Sequence, residues 1–143
     1  MPWRDPVNKL AQSHHLKADE MIHAVLWQRI EGFAVLAAGL ALFVHLNDAL
    51  PWWAALLIFF APDLSFIAYA LGPRVGAFCY NLVHIYGLGA ALLAIGLLAA
   101  VPLAAALGAL WLAHCGLDRM LGYGLKSPEG FSITHLGRIG RQK

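Results

Sequence analysis

The stretch VGAFCYNLVHIYGLGAALLAIGL, from Val75 to Leu97, carries no formal charge. At about 1.5 Å of rise per residue it reaches across the roughly 30 Å hydrocarbon core of a bilayer, and it predicts a transmembrane helix. Its polar groups, Tyr80, Asn81, His84 and Tyr86, lie in the first half, and the second half is Leu, Ala, Ile and Gly. Gly72, Pro73 and Arg74 precede it as a tight turn. Before that turn a second apolar run extends from Pro51 to Leu71, with Trp52 and Trp53 suited to the headgroup level.

Further outward, Ile30 to Leu46 reads as another span, with Arg29 at its start, Glu31 one residue inside, and Asn47, Asp48 and Pro51 at its exit. On the other side a turn near Pro102 leads into a fourth span that passes Trp111 and ends near Leu121. His114, Asp118 and Arg119 occupy its last two turns. The expected fold is all-α, a four-helix transmembrane bundle over residues 29–121, with a leader over 1–28 and a polar, glycine-rich tail over 122–143.

Composition agrees: of 143 residues, 60% are hydrophobic and only 13% charged, which places the chain in the membrane class and leaves no room for a separate soluble domain. The net charge of +2 comes from scattered basic residues with no run that could track phosphates, so nucleic acid is excluded as a partner. Cys79 and Cys115 fall inside spans and read as small packing side chains, not as a disulfide. Met1 to Glu20 is polar, has charges of both signs and lacks the pattern of a cleavable signal, so the first span is expected to act as the insertion signal.

Arg4, Lys9, Lys17 and Arg29, then Arg74, then Arg119, Lys126, Arg138, Arg141 and Lys143 all fall on one side of a four-span topology, and the turns Asn47 to Leu50 and Leu98 to Pro102 hold no Lys or Arg. The positive-inside rule therefore puts both termini in the cytoplasm of a multi-pass inner-membrane protein. Asn8 to Gln28 has the apolar spacing of an interfacial amphipathic helix, and a partly ordered polar leader is the other reading. His14, His15 and His23 there read as solvated.

Glu31, Asp63, His84, His114 and Asp118 interrupt or edge the apolar runs. An ionisable group in lipid costs several kcal/mol unless it is paired or coordinated, so the five call for one shared explanation. Counted from the cytoplasmic ends of their spans, Asp63, His84 and His114 sit at a common depth of roughly 11 to 14 Å. Glu31, Asn81 and Asp118 form a shallower layer. Asn81 and His84 at i, i+3, and His114 and Asp118 at i, i+4, each share one helix stripe.

Two imidazoles with two or three carboxylates suit a divalent transition ion, zinc foremost and iron or manganese also. In this reading His84, His114 and Asp63 bind the metal, Asp118 or Glu31 serves as general base or second ligand, and Asn81 orients. If Gly122 and Gly124 turn the chain back under the bundle, His135 becomes a third imidazole; otherwise it is solvated. The function expected is a metal-dependent hydrolase acting on a membrane lipid or amphiphilic small molecule at the inner leaflet.

Four other readings compete. One is interhelical hydrogen-bond glue, with Arg74 or Arg119 as counter-charge. Another is a haem or electron-transfer protein with His84 and His114 as axial ligands. A third is a proton or ion pathway through Asp63 and Glu31. The last is an assembly partner or homodimer that uses Gly72 and Gly76 for helix contacts.

The runs APDLS at Ala61 to Ser65, GPRVGAFCYNLVH at Gly72 to His84, HCGLDRMLGYGLK at His114 to Lys126 and THLGRIG at Thr134 to Gly140 resemble the bacterial membrane family catalogued as domain of unknown function 4260. The resemblance covers Arg29 to Gly140 and implies a four-span inner-membrane protein, with no catalytic roles to transfer. The polar scatter is also similar in kind to small membrane-bound metal-dependent hydrolases, a likeness of pattern and not of family.

Overall fold

The structure, a computed structural model, describes residues 6–140, with side chains from Glu20 onward. The readings of His14, His15, Lys9 and Lys17 concern side chains outside that set, and those of Arg4, Arg141 and Lys143 fall outside the described residues. Helix α1 runs unbroken from Pro6 to Leu46, about 60 Å at helical rise. No Gly or Pro occurs between Val7 and Glu31 to stop it. The boundary expected between Gln28 and Arg29 is therefore no break in the chain: the leader continues the first span as the same helix.

The second rod is α2, Trp52–Phe59, followed by a 3-10 helix, Ala61–Leu71. The third joins α3, Pro73–His84, to α4, Tyr86–Leu98. The fourth is α5, Pro102–Leu121. Three segments, Glu20–Leu46, Trp52–Leu71 and Pro73–Leu98, are long and apolar enough to cross a membrane. Helix α5 is less apolar because it is the axis of the bundle. It packs along α1 and α4 and touches α2, and its Ala105, Ala106, Ala109 and Ala113 are buried. A helix walled off by other helices meets little lipid and can carry His114, Asp118 and Arg119 at low cost.

Small residues let the backbones approach. A Cβ on Gly116 would lie 2.5 Å from the Leu36 nitrogen of α1, and one on Gly108 would strike the Leu93 backbone of α4. Gly76, expected to contact a partner helix, instead receives the Tyr69 ring of its own chain. Gly72 makes the turn between the second and third rods at φ +109°, a region closed to residues with a Cβ.

Two rods break in mid-span, at Phe60 and at Ile85, which is extended at φ −77°, ψ 142°. A break exposes carbonyls that must be satisfied inside the protein. Helix α5 does this for the third rod: Trp111 Nε1 donates to the Val83 carbonyl at 2.7 Å and an Arg119 guanidinium nitrogen to the His84 carbonyl at 3.3 Å. Arg119 is thus a backbone cap in place of the counter-charge expected of it.

At the end of α5, Gly122 turns left-handed at φ +90°, and the Tyr123 N–H closes onto the Asp118 carbonyl at 2.7 Å. The tail is ordered by its own antiparallel sheet of β1, Lys126–Ser127, β2, Gly130–Thr134, and β3, Gly137–Arg138, in that order. Among the described residues this small meander is the one sheet in an otherwise helical chain.

Gly108→Ala is expected to destabilise the bundle by roughly 1 to 3 kcal/mol through overpacking against α4. Gly87→Ala, whose added methyl would find its nearest atom 3.6 Å away, is expected to leave the melting temperature in detergent unchanged or raised.

Candidate metal centre

The 3-10 segment and α3 run antiparallel as matched ladders. Three residues of a 3-10 helix and four of an α-helix both rise about 6 Å, so i, i+3 positions on one stay level with i, i+4 positions on the other. Tyr69 lies on Gly76, Phe66 stacks on Tyr80 at 5.1 Å between centroids, and Asp63 faces His84 at 3.5 Å. The outward stripe of the same segment, Ala61, Leu64, Ile67 and Ala70, is exposed. The tighter helix therefore carries Asp63 to the third rod.

Helix α5 supplies the rest. Side chains lean towards the N-terminus of their helix, which tilts Asp118 up towards His114 and His84 down towards Tyr80, because α5 and α3 run in opposite directions. As a result Asp118 joins the layer expected one turn above it. His114 Nε2 lies 3.2 Å from His84 Nε2 and 3.7 Å from Asp63 Oδ1, and Asp118 Oδ2 lies 3.6 Å from His84 Nε2. One ligand atom from each of Asp63, His84, His114 and Asp118 falls within 4.8 Å of all the others.

These separations fit an ion. Donors around a tetrahedral ion at about 2.0 to 2.1 Å lie roughly 3.3 to 3.4 Å apart, and the separations among His84, His114 and Asp63, 3.2, 3.5 and 3.7 Å, spread around that value, with Asp118 beside them at 3.6 Å from His84. His84 Nδ1 lies 2.8 Å from the Tyr80 carbonyl; donating there leaves the Nε2 lone pair aimed into the cluster, the arrangement usual for a metal-bound histidine. Tyr80 Oη donates to Asp118 Oδ2 at 2.6 Å and so orients that carboxylate. His114 Nδ1 is buried with no partner among the described residues, which leaves the tautomer of His114 free.

Aromatic walls surround the four. Phe59 and Phe60 present edge contacts to His114, with centroids 5.4 and 6.2 Å away, and Tyr80 stacks on His84 at 3.7 Å. Below them, Lys126 is only 5% exposed, with its ammonium 4.2 Å from the Phe131 ring centroid and 5.2 Å from that of Tyr80. Burial pulls the Lys126 pKa down from its ordinary value, and Asp118 and Asp63 pull it back up.

Three residues expected at the site are elsewhere. Asn81 clamps the tail: its Oδ1 accepts from the Lys126 N–H at 2.6 Å and its Nδ2 donates to the Lys126 carbonyl at 2.9 Å. Glu31 is exposed, lining a separate cavity of about 300 Å³ with Arg119, Tyr86 and His135. His135 has both ring nitrogens engaged, Nδ1 by the Leu125 N–H at 2.8 Å and Nε2 with Gln28 at 3.3 Å. Depth along the span says nothing of direction around the bundle axis, which decides the partners of Glu31 and Asn81.

Tyr80 and Lys126 were not assigned roles from the sequence, although Tyr80 shares the i, i+4 stripe of His84. A haem between His84 and His114 is ruled out, since no macrocycle passes between two nitrogens in hydrogen-bond contact.

A helical bundle with membrane-like spans, built around a buried cluster of two histidines and two aspartates, defines the class. The family model described as Domain of unknown function (DUF4260) matches residues 25–139, and the chain belongs to that family. Neither the curated proteins nor the solved structures contain a match to it.

Asn81→Ala is expected to free the tail at a cost of about 1 to 3 kcal/mol, seen as faster proteolysis near Lys126 while the helical circular dichroism persists. His135 accepts at Nδ1 and so docks in its neutral form; burial and Arg119 hold its pKa below the ordinary 6.5. A lowered histidine pKa means that stability is full above that ordinary value and falls as pH drops through it. The same proteolysis is therefore expected to accelerate from neutral pH to about pH 5, and much less so in His135→Gln.

Proposed function

We propose that this protein is a metal-dependent enzyme of the inner membrane that hydrolyses a lipid-like or amphiphilic substrate from the cytoplasmic leaflet. The observation that carries the reading is the meeting of His84, His114, Asp63 and Asp118 from three different rods, each able to offer a donor within 4.8 Å of the rest. Orientation follows from charge. Arg29, Arg74, Arg119, Lys126 and Arg138 belong to the end of the bundle that carries the tail sheet, and the turns at the far end hold no Lys or Arg.

A divalent ion held by His84, His114 and Asp63, zinc foremost and iron or manganese with the same donors, would supply Lewis acidity and, at the position those three leave open, an acidified water. The residues divide the remaining work. The Tyr80 carbonyl fixes His84 with its Nε2 inward, and the Tyr80 hydroxyl fixes Asp118. Asp63 is 35% exposed, and among the described residues its side chain is held only by the two histidines. It is the ligand at the opening, where the substrate would meet the ion, and Asp118, oriented by the Tyr80 hydroxyl, is the carboxylate left to take a proton from the water. The apolar walls keep bulk water out and strengthen each of these contacts.

Elemental analysis of detergent-purified protein is expected to find about one equivalent of transition metal per chain, abolished in His84→Ala and in His114→Ala. A wild-type protein that is folded, metal-free and unable to retain zinc after dialysis against it would reduce the cluster to interhelical hydrogen bonding.

A further inference from the structure

We propose that the substrate reaches the cluster sideways from the acyl-chain layer, its hydrocarbon chain lying in a groove between α1, α2 and α5 and its polar end at Asp63. The chemistry at the polar end rests on the function proposed above; the route does not.

Three of the four cluster side chains are shut in, and the opening is at Asp63. Near it, Phe60 at the break is 47% exposed, and on the 3-10 segment Leu64 is 66% and Ile67 72% exposed. Such an exposed apolar surface is what a bilayer covers. The cytoplasmic side is closed: Lys126 lies under Tyr80 and against Phe131, and the Asn81 clamp holds the tail sheet in place.

The groove is a cleft of about 310 Å³ lined by Leu40, Phe43, Leu56, Phe59 and Leu110, among others, and is almost wholly apolar. Trp52 marks one end. The other end is Phe59, whose ring edge rests on His114 at 5.4 Å and meets Phe60 at 5.0 Å. The groove therefore abuts the cluster, with the Phe59 ring shared between the two. A cleft of this volume has no room for a helix about 10 Å across, whereas a single acyl chain fits along it. The ligand class is an amphiphile with one hydrocarbon chain adjoining a hydrolysable polar group.

The test uses wild-type protein in phosphatidylcholine–phosphatidylglycerol nanodiscs and two carboxyl reagents, the apolar dicyclohexylcarbodiimide and a charged, water-soluble carbodiimide, with the labelled peptides read by mass spectrometry. Asp63 is expected to react at least about tenfold faster with the apolar reagent, because the acyl layer excludes the charged one, and added zinc is expected to protect it. Faster labelling by the apolar reagent without protection by zinc upholds the route and overturns the metal. Equal or faster labelling by the charged reagent overturns the route whatever zinc does, and so does the absence of labelling by either. In a second arm, palmitic acid with a terminal diazirine is expected to cross-link chiefly to Trp52–Phe59 and the facing part of α1. Cross-links spread evenly over all the exposed apolar faces would overturn the groove.

Discussion

A backbone carbonyl cannot be left bare within a bilayer, and the third rod of this protein would leave two bare where it breaks at Ile85. Trp111 and Arg119 of α5 answer them. Much of the architecture follows from that duty. To reach the Val83 and His84 carbonyls, α5 has to lie at the centre and close to its neighbours, which requires the small residues Gly108, Gly116 and the buried alanines. Once central, it is shielded from lipid and can hold His114 and Asp118 at the same level as the break. The break and the site are one feature: the helix that repairs the first supplies half of the second.

The other half arrives by a match of rises. A long 3-10 helix has poorer hydrogen-bond geometry than an α-helix and is rarely sustained beyond three or four residues. Here it extends from Ala61 to Leu71 and gains a rung of contact at each turn, with Tyr69 on Gly76, Phe66 on Tyr80 and Asp63 on His84. A stacked aromatic pair contributes about 0.5 to 1.5 kcal/mol beyond its buried area, of the size needed to offset weak turns. Two carboxylates so close together in an apolar setting repel unless a cation or protons intervene. The burial of Asp118 and the half-burial of Asp63 thus ask for a cation or for shared protons between them.

The tail completes the enclosure. Its sheet is tied to α3 by the paired hydrogen bonds of Asn81 and to α1 through His135 and Gln28, and it brings Lys126 beneath the cluster against three aromatic rings. A cluster floored in this way faces the apolar surface beside Asp63 and not the solution at the tail end. Closure on one side and a half-exposed acid on the other give the site a direction, which the function proposed for it would require.

Apolar run lengths, the turns at Gly72 and Gly122 and the spread of basic residues placed the four rods, and every end except the start of the first, within a few residues, because hydrophobic length and glycine geometry are local properties. The common depth of Asp63, His84 and His114 was legible for the same reason: rise per residue is fixed. The sequence by itself could not say which residues at that depth face one another. Glu31 and Asn81 have suitable chemistry, yet rotation about the bundle axis turns them to other partners, and the tail turn gives His135 to Leu125 and Gln28. Nor did it show the break at Ile85, where no proline or glycine stands, or the 3-10 winding after Pro62, since both depend on what α5 and α3 offer across the bundle. Local chemistry determined that this chain is a set of membrane-length helices with acids and imidazoles at one level. Only the packing of those helices, through contacts between residues far apart in the chain, decided which four of them meet.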